Sequence, residues 1–359
     1  MKSRLETVLR PVVRLLPALW RVRLRRWWYA GVNTGNGYDA RVRQEVSRFS
    51  GEEVIHDLPP ICHYWSNTYL RPLFEQFGFS YPEDFFAVQI ERKAAAVGRP
   101  VRIVSIGAGN CESEATIAKL LLERGVRDFT ITCLDITDAM LARGQRLMES
   151  QGIADHFRFV NADFNRWKPS ETCDVVIANQ SLHHVTNLEG LFDAIHEAIG
   201  DDGIFVTSDM IGRNGHMRWP EALAIVQEFW QELPTAYRYN RQLRRQETRF
   251  GNWDCSTEGF EGIRAQDILP LAVAKFGFEV FLAYGNLIDP FVDRSFGPNF
   301  DADKDWDRDF IDRVHARDEA EMLAGTISPT HMLAVMRRDR TVKPLVWRHL
   351  TPEFCLRRG

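Results

Sequence analysis

The sequence predicts an α/β fold in which a mostly parallel sheet is covered by helices on both faces. Val101 to Ile106 form a short, β-branched apolar run, which is followed by a turn containing Gly107 and Gly109 and then by a segment of helical period. Further apolar runs downstream end in polar residues, as the parallel strands of a nucleotide-binding sheet do. With 359 residues and 45% hydrophobic content, the chain is long enough to bury a sizeable core.

The turn after this first strand is the predicted cofactor site, together with Ala108 and Asn110. Glycine lacks Cβ, so Gly107 and Gly109 can adopt positive φ and let a ligand approach the backbone and the N–H groups of the next helix. A dinucleotide fingerprint that begins at Gly107 needs a third glycine where this chain has Glu112, and a carboxylate there would face a pyrophosphate. S-adenosylmethionine carries an ammonium and a sulfonium, so an acidic neighbour favours it over NAD.

The next three strands place polar residues at the same edge of the sheet, where ligands bind in open α/β folds. After Phe129 to Leu134, an acidic residue is placed to accept hydrogen bonds from ribose hydroxyls. After Phe157 to Val160, another is placed to accept the adenine amino hydrogen, with an apolar cover beside it. The predicted contacts are Asp135 and Ile136 after the second strand, Asp163 and Phe164 after the third, and Asn179, Gln180 and Ser181 after the fourth.

This ordered set resembles the class I S-adenosylmethionine-dependent methyltransferases over roughly residues 95 to 210. The resemblance implies S-adenosylmethionine as cofactor and a Rossmann-like, seven-stranded, mostly parallel sheet with an antiparallel last strand, here His331 to Met336. In one respect the chain departs from the family. Ser105 stands two residues before the first glycine, where the family usually has Asp or Glu, which leaves Glu112 or Asn179 to hold the methionine amino group.

The rest of the chain is predicted to add a lid, a cap and a basic tail to this core. Residues 1–28 hold eight Lys and Arg against one Glu, with apolar residues at near-helical spacing, but no apolar run long enough to cross a bilayer. They are interpreted either as an interfacial helix on an anionic membrane or as a packed helix with solvated arginines. The predicted divisions are 1–28 (basic amphipathic helix), 29–95 (helical lid), 96–210 (cofactor-binding core), 211–264 (cap), 265–338 (remaining core, with a 285–328 insertion) and 339–359 (basic tail).

Composition narrows the location and the partners. Six cysteines without a C-x-x-C pair indicate reduced thiols and a cytoplasmic protein, which is membrane-peripheral if residues 1–28 contact lipid. The strongly acidic middle of the chain disfavours nucleic acid. The acidic run from Asp301 to Asp309 lacks the glycine that a calcium-binding EF-hand loop requires, having Trp306 at its sixth position. No metal site is therefore predicted.

The predicted reaction is methyl transfer to a small-molecule, sugar-containing or lipid-like acceptor, with oxygen as the favoured acceptor atom. A hydroxyl acceptor needs a base, and the candidates are His183, His216, Asp209 and His63. The candidate acceptor contacts are Tyr64, Trp65 and Asn67 in an aromatic patch, Arg213 and Arg218 after the fifth strand, and Arg294 in the insertion. N- or C-methylation stays open, as does a methyltransferase-fold binding or assembly protein without catalysis, which Ser105 favours. An NAD-dependent oxidoreductase is disfavoured by Glu112.

Overall fold

The strands form one large sheet and one short hairpin. A computed structural model describes residues 58–257 and 259–357, together with Tyr38, 41–43 and Val46, and the helix predicted for residues 1–28 lies outside these. The strands are β1 (Val101–Ile106), β2 (Phe129–Asp135), β3 (Phe157–Asn161), β4 (Val175–Asn179), β5 (Ile204–Met210), β6 (Tyr239–Asn240), β7 (Arg245–Gln246), β8 (Gly277–Tyr284), β9 (His331–Arg337) and β10 (Leu345–Val346).

Helices follow most of these strands. A π-helical turn, Ser66–Leu70, joins the first two helices below. The described α-helices are α1 (Pro60–Trp65), α2 (Arg71–Glu75), α3 (Pro82–Val97), α4 (Glu112–Glu123), α5 (Asp138–Ser150), α6 (Leu188–Ile199), α7 (Pro220–Glu232), α8 (Ala265–Lys275), α9 (Asp289–Val292), α10 (Asp305–Ala324) and α11 (Pro352–Cys355).

The large sheet has the order β10-β8-β9-β5-β4-β1-β2-β3. Strand β9 runs antiparallel to both β5 and β8, and the other pairs are parallel, so the predicted fold class is confirmed. The sheet has eight strands instead of seven, because the predicted basic tail contributes β10. This short strand pairs with β8, whose backbone N–H and C=O groups would otherwise form an unprotected edge.

Both faces of the sheet are buried, which is why its central strands read as continuous apolar runs. Val175, Val176, Ile177 and Ala178 of β4 are all fully buried. Successive side chains point to opposite faces of the sheet. Val175 and Ile177 therefore join the core under α3, α4 and α5, whereas Val176 and Ala178 join the core under α6 and α8.

The two predicted insertions pack against each other through aromatic side chains. Trp230 of α7 lies edge-on to Phe296 with ring centroids 4.8 Å apart, and Phe229 of the same helix lies edge-on to Phe310 of α10 at 5.9 Å. None of the helices in the described part of the chain is both long enough and apolar enough to cross a membrane. The domain divisions proposed above stay predictions.

Candidate active site

The glycine-rich turn after β1 has the backbone that the sequence predicts. Gly107 and Gly109 have φ of 71° and 55°. A Cβ atom on Gly107 would lie 2.7 Å from the Cβ of Ser181 and 3.7 Å from Cε1 of Phe164, so only glycine fits there. The structure therefore brings Ser181 and Phe164, which follow β4 and β3, against the turn.

Asp135 holds this turn in place from the end of β2. Its carboxylate accepts hydrogen bonds from the backbone N–H of Gly109 (3.0 Å) and of Thr137 (2.8 Å). Burial raises the pKa of Asp135, and these hydrogen bonds oppose the rise. The predicted neighbours lie alongside: the Asn110 side chain accepts a hydrogen bond from Arg143 (2.9 Å), and the carbonyl of Ile136 accepts one from Asn161 (3.2 Å). The ribose contact stays a prediction.

A carboxyl group from the next helix lies against Ser105. The hydroxyl of Ser105 donates a 2.6 Å hydrogen bond to the carboxylate of Glu114, in the first turn of α4. Burial is the main cause that raises the pKa of Glu114 to about 7; the carboxylates of Asp135 and Glu83 contribute to the rise, and the hydrogen bond from Ser105 opposes it. A buried carboxyl group thus lies behind the glycine turn, although β1 itself carries none.

Glu112 and Asn179, which the sequence suggests for the methionine amino group, both lie near the start of α4. Glu112 is exposed at the start of α4. Asn179 donates a hydrogen bond to the hydroxyl of Ser113 (3.1 Å), which in turn donates to Glu83 of α3 (3.1 Å). Asn179 therefore lies beside the first turn of α4, next to the residue that does supply the carboxyl group.

The predicted adenine side of the site is covered by Tyr38. Its hydroxyl donates to the carboxylate of Asp163 at 2.8 Å, and its ring lies 5.8 Å from that of Phe260. Arg41 donates to the carbonyl of Gly259 at 3.1 Å. Burial, followed by the charge of Asp163, raises the pKa of Tyr38. Tyr38 and Arg41 of the predicted lid thus contact two loops at this edge of the sheet.

Three of the four candidate bases meet in one cluster, together with two further side chains, His184 and Glu261. We call His183, His184, His216, Asp209 and Glu261 the histidine cluster. Nδ1 of His183 lies 2.7 Å from Oδ1 of Asp209, and its Nε2 lies 3.4 Å from Oε1 of Glu261. Nε2 of His216 lies 2.7 Å from that same oxygen, and Nε2 of His184 lies 3.7 Å from the other one.

Asp209, at the end of β5, fixes the first part of the cluster. It is fully buried, and its Oδ2 accepts hydrogen bonds from the backbone N–H of Ser181 (2.9 Å) and Leu182 (2.7 Å). The same carboxylate contacts His183, which lies in the 3-10 turn Leu182–His184. Because Ser181 also packs on Gly107, the cluster lies one short segment away from the glycine turn.

Two further loops bring in the rest of the cluster. The N–H of Gly215 donates to the carbonyl of Gly262 (2.9 Å), and Ile263 donates to the carbonyl of His183 (3.0 Å). These contacts place Glu261 between the rings of His183 and His216. His216 has φ of 53°, in the left-handed region that costs a non-glycine residue strain energy, and such residues are concentrated at functional sites.

The charges in the cluster follow from these contacts. Burial opposes the charging of His183, but Asp209 and Glu261 outweigh it and raise its pKa to about 10. Burial lowers the pKa of His216, against the hydrogen bond to Glu261. Burial likewise opposes ionisation of Glu261, but hydrogen bonds from both histidines hold its pKa far below the ordinary value. Glu261 is therefore a partly exposed anion.

The arginines predicted to contact the acceptor bind protein groups. Nη1 of Arg218 lies 2.9 Å from Oδ2 of Asp289, and its Nε is buried without a hydrogen-bond partner. Arg213 donates to the carbonyl of Arg218 (3.1 Å) and lies over the ring of Trp219. Arg294 is exposed after α9. Their roles toward an acceptor stay predictions.

The structure places the predicted aromatic patch on α10, away from the glycine turn. Tyr64 donates to Asp312 (2.9 Å), and Nε1 of Trp65 donates to His315 (3.3 Å). Trp65 and His315 line a cavity of about 640 Å³ beside β8, which is four strands from β1 in the sheet. His63 and Asn67 are exposed on the same segment. His63 is thus the candidate base that is not brought into the histidine cluster.

Comparisons with known proteins match the part of the chain that carries the glycine turn. Residues 104–205 match a family model described as a methyltransferase domain. Trans-aconitate 2-methyltransferase of Acidovorax sp. (strain JS42) is 34% identical over 105 residues, which is 29% of this chain and 36% of that protein. The enzyme of the same name from Yersinia pestis is 30% identical over 84 residues, or 23% and 30% of the two chains. The chain thus spans about a third of the length of these relatives.

Solved structures are similar over more of the chain but at lower identity. The [4+2]-cyclase SpnF is 12% identical, with a TM-score of 0.40 over 85% of this chain and 93% of that one. The O-methyltransferase from a trans-AT PKS multienzyme of Brevibacillus brevis, solved with S-adenosyl-L-homocysteine, is 13% identical, with a TM-score of 0.42 over 85% and 88%. The family match agrees with the residues described above: residues 104–205 carry a methyltransferase domain.

Proposed function

We propose that this protein transfers a methyl group from S-adenosylmethionine to an oxygen atom of a small-molecule acceptor. The observation that carries the proposal is the buried carboxyl group of Glu114 behind the glycine turn, with Asp135 and Glu83 close enough to perturb its pKa. Three acidic groups around one turn favour a cationic ligand and repel a pyrophosphate. This acidic setting supports the methyl donor over a dinucleotide.

The residues present fit the donor along its length. Glu114 would hold the methionine ammonium, Asp135 the ribose hydroxyls, and Asp163 with Phe164 the adenine. Gly107 leaves the space that a Cβ atom would fill. When bound, S-adenosylmethionine supplies a methyl group already activated on a sulfonium, so the protein has mainly to orient the acceptor and take up its proton.

The histidine cluster is the proposed acceptor site. It lies after β4 and β5, and Ser181 joins it to the glycine turn. Imidazole and carboxylate groups can accept a hydrogen bond from a hydroxyl group and position its oxygen, which supports O-methylation over N- or C-methylation. The side chains of His216 and Glu261 are 21% and 30% exposed, so an acceptor can reach them. Sugar-containing and lipid-like acceptors both offer such hydroxyl groups.

The second candidate, a methyltransferase-fold binding or assembly protein, loses its main support. Ser105 favoured it because the family's acidic residue was absent from β1. Glu114 of α4 places a carboxyl group next to the Ser105 hydroxyl, which supports for it the role that the family's acidic residue has on the first strand. Peripheral membrane contact through residues 1–28 stays a prediction from the sequence alone.

Calorimetric titration of the chain with S-adenosylmethionine, S-adenosylhomocysteine and NAD tests the cofactor. We expect micromolar binding of both adenosyl ligands, weakened in Glu114→Gln and unchanged in Glu112→Gln, an exposed control in the same helical turn. Binding of NAD alone would overturn the proposal. Transfer of a radioactive methyl group to a panel of small-molecule alcohols then tests catalysis, and cofactor binding without transfer to any of them would favour the binding protein.

A further inference from the structure

In the described part of the chain, one group of metal-ligating side chains converges on a single point. One nitrogen from His183, one from His216 and one carboxylate oxygen of Glu261 all lie within 4.8 Å of one another. They come from three loops that follow β4, follow β5 and precede α8. The methyl-transfer chemistry proposed above does not need three such groups on one point.

The spacing of these atoms is close to what a small metal ion requires. Ligand atoms about 2.0–2.1 Å from a tetrahedral ion are separated from each other by about 3.3 Å. Oε1 of Glu261 lies 2.7 Å from Nε2 of His216 and 3.4 Å from Nε2 of His183. The His183 and His216 nitrogens lie within 4.8 Å of each other, so an ion between the three atoms needs movement of the histidine rings as well as of Glu261.

The surroundings of His183 are those of a metal ligand. Its Nδ1 lies 2.7 Å from Asp209, so the opposite ring nitrogen, Nε2, is aimed at Glu261. Asp209 is itself fixed by the backbone N–H groups of Ser181 and Leu182. A histidine oriented by a buried carboxylate is the usual arrangement behind a metal-binding imidazole.

The charge and the access of the cluster also suit a cation. Asp209 and Glu261 bring two carboxylates to a largely buried place, and a divalent ion would neutralise both. The side chain of His183 is 5% exposed, whereas those of His184 and His216 are each 21% exposed. The site is thus closed behind and open in front, as in metal sites that keep a position for water or substrate.

We propose that His183, His216 and Glu261 bind a divalent transition-metal ion of the Zn²⁺ type, with Asp209 as a positioning residue for His183. Two imidazoles and one carboxylate favour such ions over Mg²⁺ and Ca²⁺, which prefer oxygen ligands. The sequence predicted no metal site, because the ligands come from three loops without a spacing motif. The open position on the metal would hold the acceptor oxygen and favour loss of its proton. This role of the metal rests on the proposed function, whereas metal binding itself does not.

Metal binding is tested on the full chain without an affinity tag and without cofactor. After removal of metal with a chelator, the chain is titrated with Co²⁺, followed by its visible absorption, and with Zn²⁺ in competition. We expect one ion per chain, and binding weakened about a hundredfold or more in His216→Ala and in Glu261→Gln. His196→Ala is the matched control, because this histidine lies on α6, outside the cluster. The His196→Ala variant should bind Co²⁺ as tightly as wild type.

Circular dichroism and the melting temperature establish that each variant is folded. Glu261→Gln keeps the size of the side chain, so it tests the loss of the ligand without the cavity that His216→Ala leaves. Wild-type affinity no higher than that of the two cluster variants would overturn the proposal, as would a preference for Mg²⁺ over Zn²⁺. Because cofactor is absent from this titration, its failure leaves the cofactor result standing. A failure to bind S-adenosylmethionine likewise leaves the metal result standing.

Discussion

Replacing Glu114 by Gln tests whether the carboxyl group behind the glycine turn binds the methionine ammonium. Gln keeps the size of the side chain and an oxygen that can accept the hydrogen bond from Ser105, but it removes the charge. In the free protein the pKa of Glu114 is raised to about 7 by burial. An ammonium bound beside it favours the ionised carboxylate, so below that pH the cofactor has to displace a proton in order to bind.

The size of the effect follows from the two pKa values. If the bound cofactor returns the pKa of Glu114 to its ordinary value of 4.5, the affinity falls by about twentyfold as the pH is lowered from about 7.5 to about 5.5. In Glu114→Gln the profile should be nearly flat over this range, and the affinity at the upper end should be lower than that of wild type. The carboxyl group thus determines both the strength of binding and its dependence on pH.

The stability of the free protein should change in the opposite direction. Because the folded-state pKa is raised, the protonated acid stabilises the fold below pH 4.5, and this contribution is lost as the pH rises through 7. The loss amounts to about 3 kcal/mol for a raised pKa of this size. Glu114→Gln should therefore be more stable than wild type toward urea at about pH 8, although it binds the cofactor less well.

Isothermal calorimetry with S-adenosylhomocysteine measures the binding profile, and 5′-methylthioadenosine is the control ligand because it lacks the amino-acid end. We expect a flat profile for the control ligand in both proteins. Equal pH dependence in wild type and Glu114→Gln would refute the assignment of the ammonium to this residue. A pH-dependent profile for the control ligand would do the same, since it would place the titrating group elsewhere.

Three other substitutions have expected outcomes. Arg264→Ala removes the guanidinium that pairs with the buried carboxylates of Glu189 and Asp267, and it should lower the free energy of unfolding in urea by about 3–5 kcal/mol. A loss below about 1 kcal/mol would contradict this. Gly107→Ala should abolish cofactor binding in calorimetry, because its Cβ would overlap Ser181. Gly98→Ala is the control and should bind normally, because its Cβ would meet nothing within 4 Å. Equal binding by both variants would contradict the steric argument. Tyr38→Phe should lower the free energy of unfolding by about 2 kcal/mol, because it removes the hydrogen bond to Asp163. Adding Asp163→Asn to this variant should lower the free energy of unfolding little further. If the losses of the two single variants add up in the double variant, their hydrogen bond contributes little.

The fold was predictable where hydrophobic period and turn residues agree. Strands β1, β2 and β4 were found because each is an apolar run that ends in a glycine turn or a polar residue. Strand β10 was missed. It has two residues, and it forms because β8 offers it an edge and not because its own sequence favours a strand. Tertiary pairing of this kind leaves little trace in local sequence.

The candidate site was predictable only where it follows the strands. The positions after β1 to β5 follow directly from strand ends, so Asp135, Asp163 and Asp209 could be named. Glu114 could have been found from its place on the buried face of α4, beside Ala115 and Ala118, where a lone acid needs a reason. Glu261 lies in a segment of weak periodicity between helices, and its place between two histidines depends on contacts between loops that no local pattern encodes.

These loop contacts also join the histidine cluster to the adenine side of the site. Asp163 accepts a hydrogen bond from the backbone N–H of Asn165, whose side chain accepts two from Thr186. The carbonyl of Thr186 accepts one from Arg264, three residues beyond Glu261. Arg264 is fully buried, and charged groups in such places are held rigidly because leaving any of them unpaired is costly. Arg264 therefore stabilises both the segment of Asp163, the predicted adenine contact, and the segment of Glu261, the proposed metal ligand. Arg264→Ala should consequently weaken Co²⁺ binding as well as lower the stability of the fold.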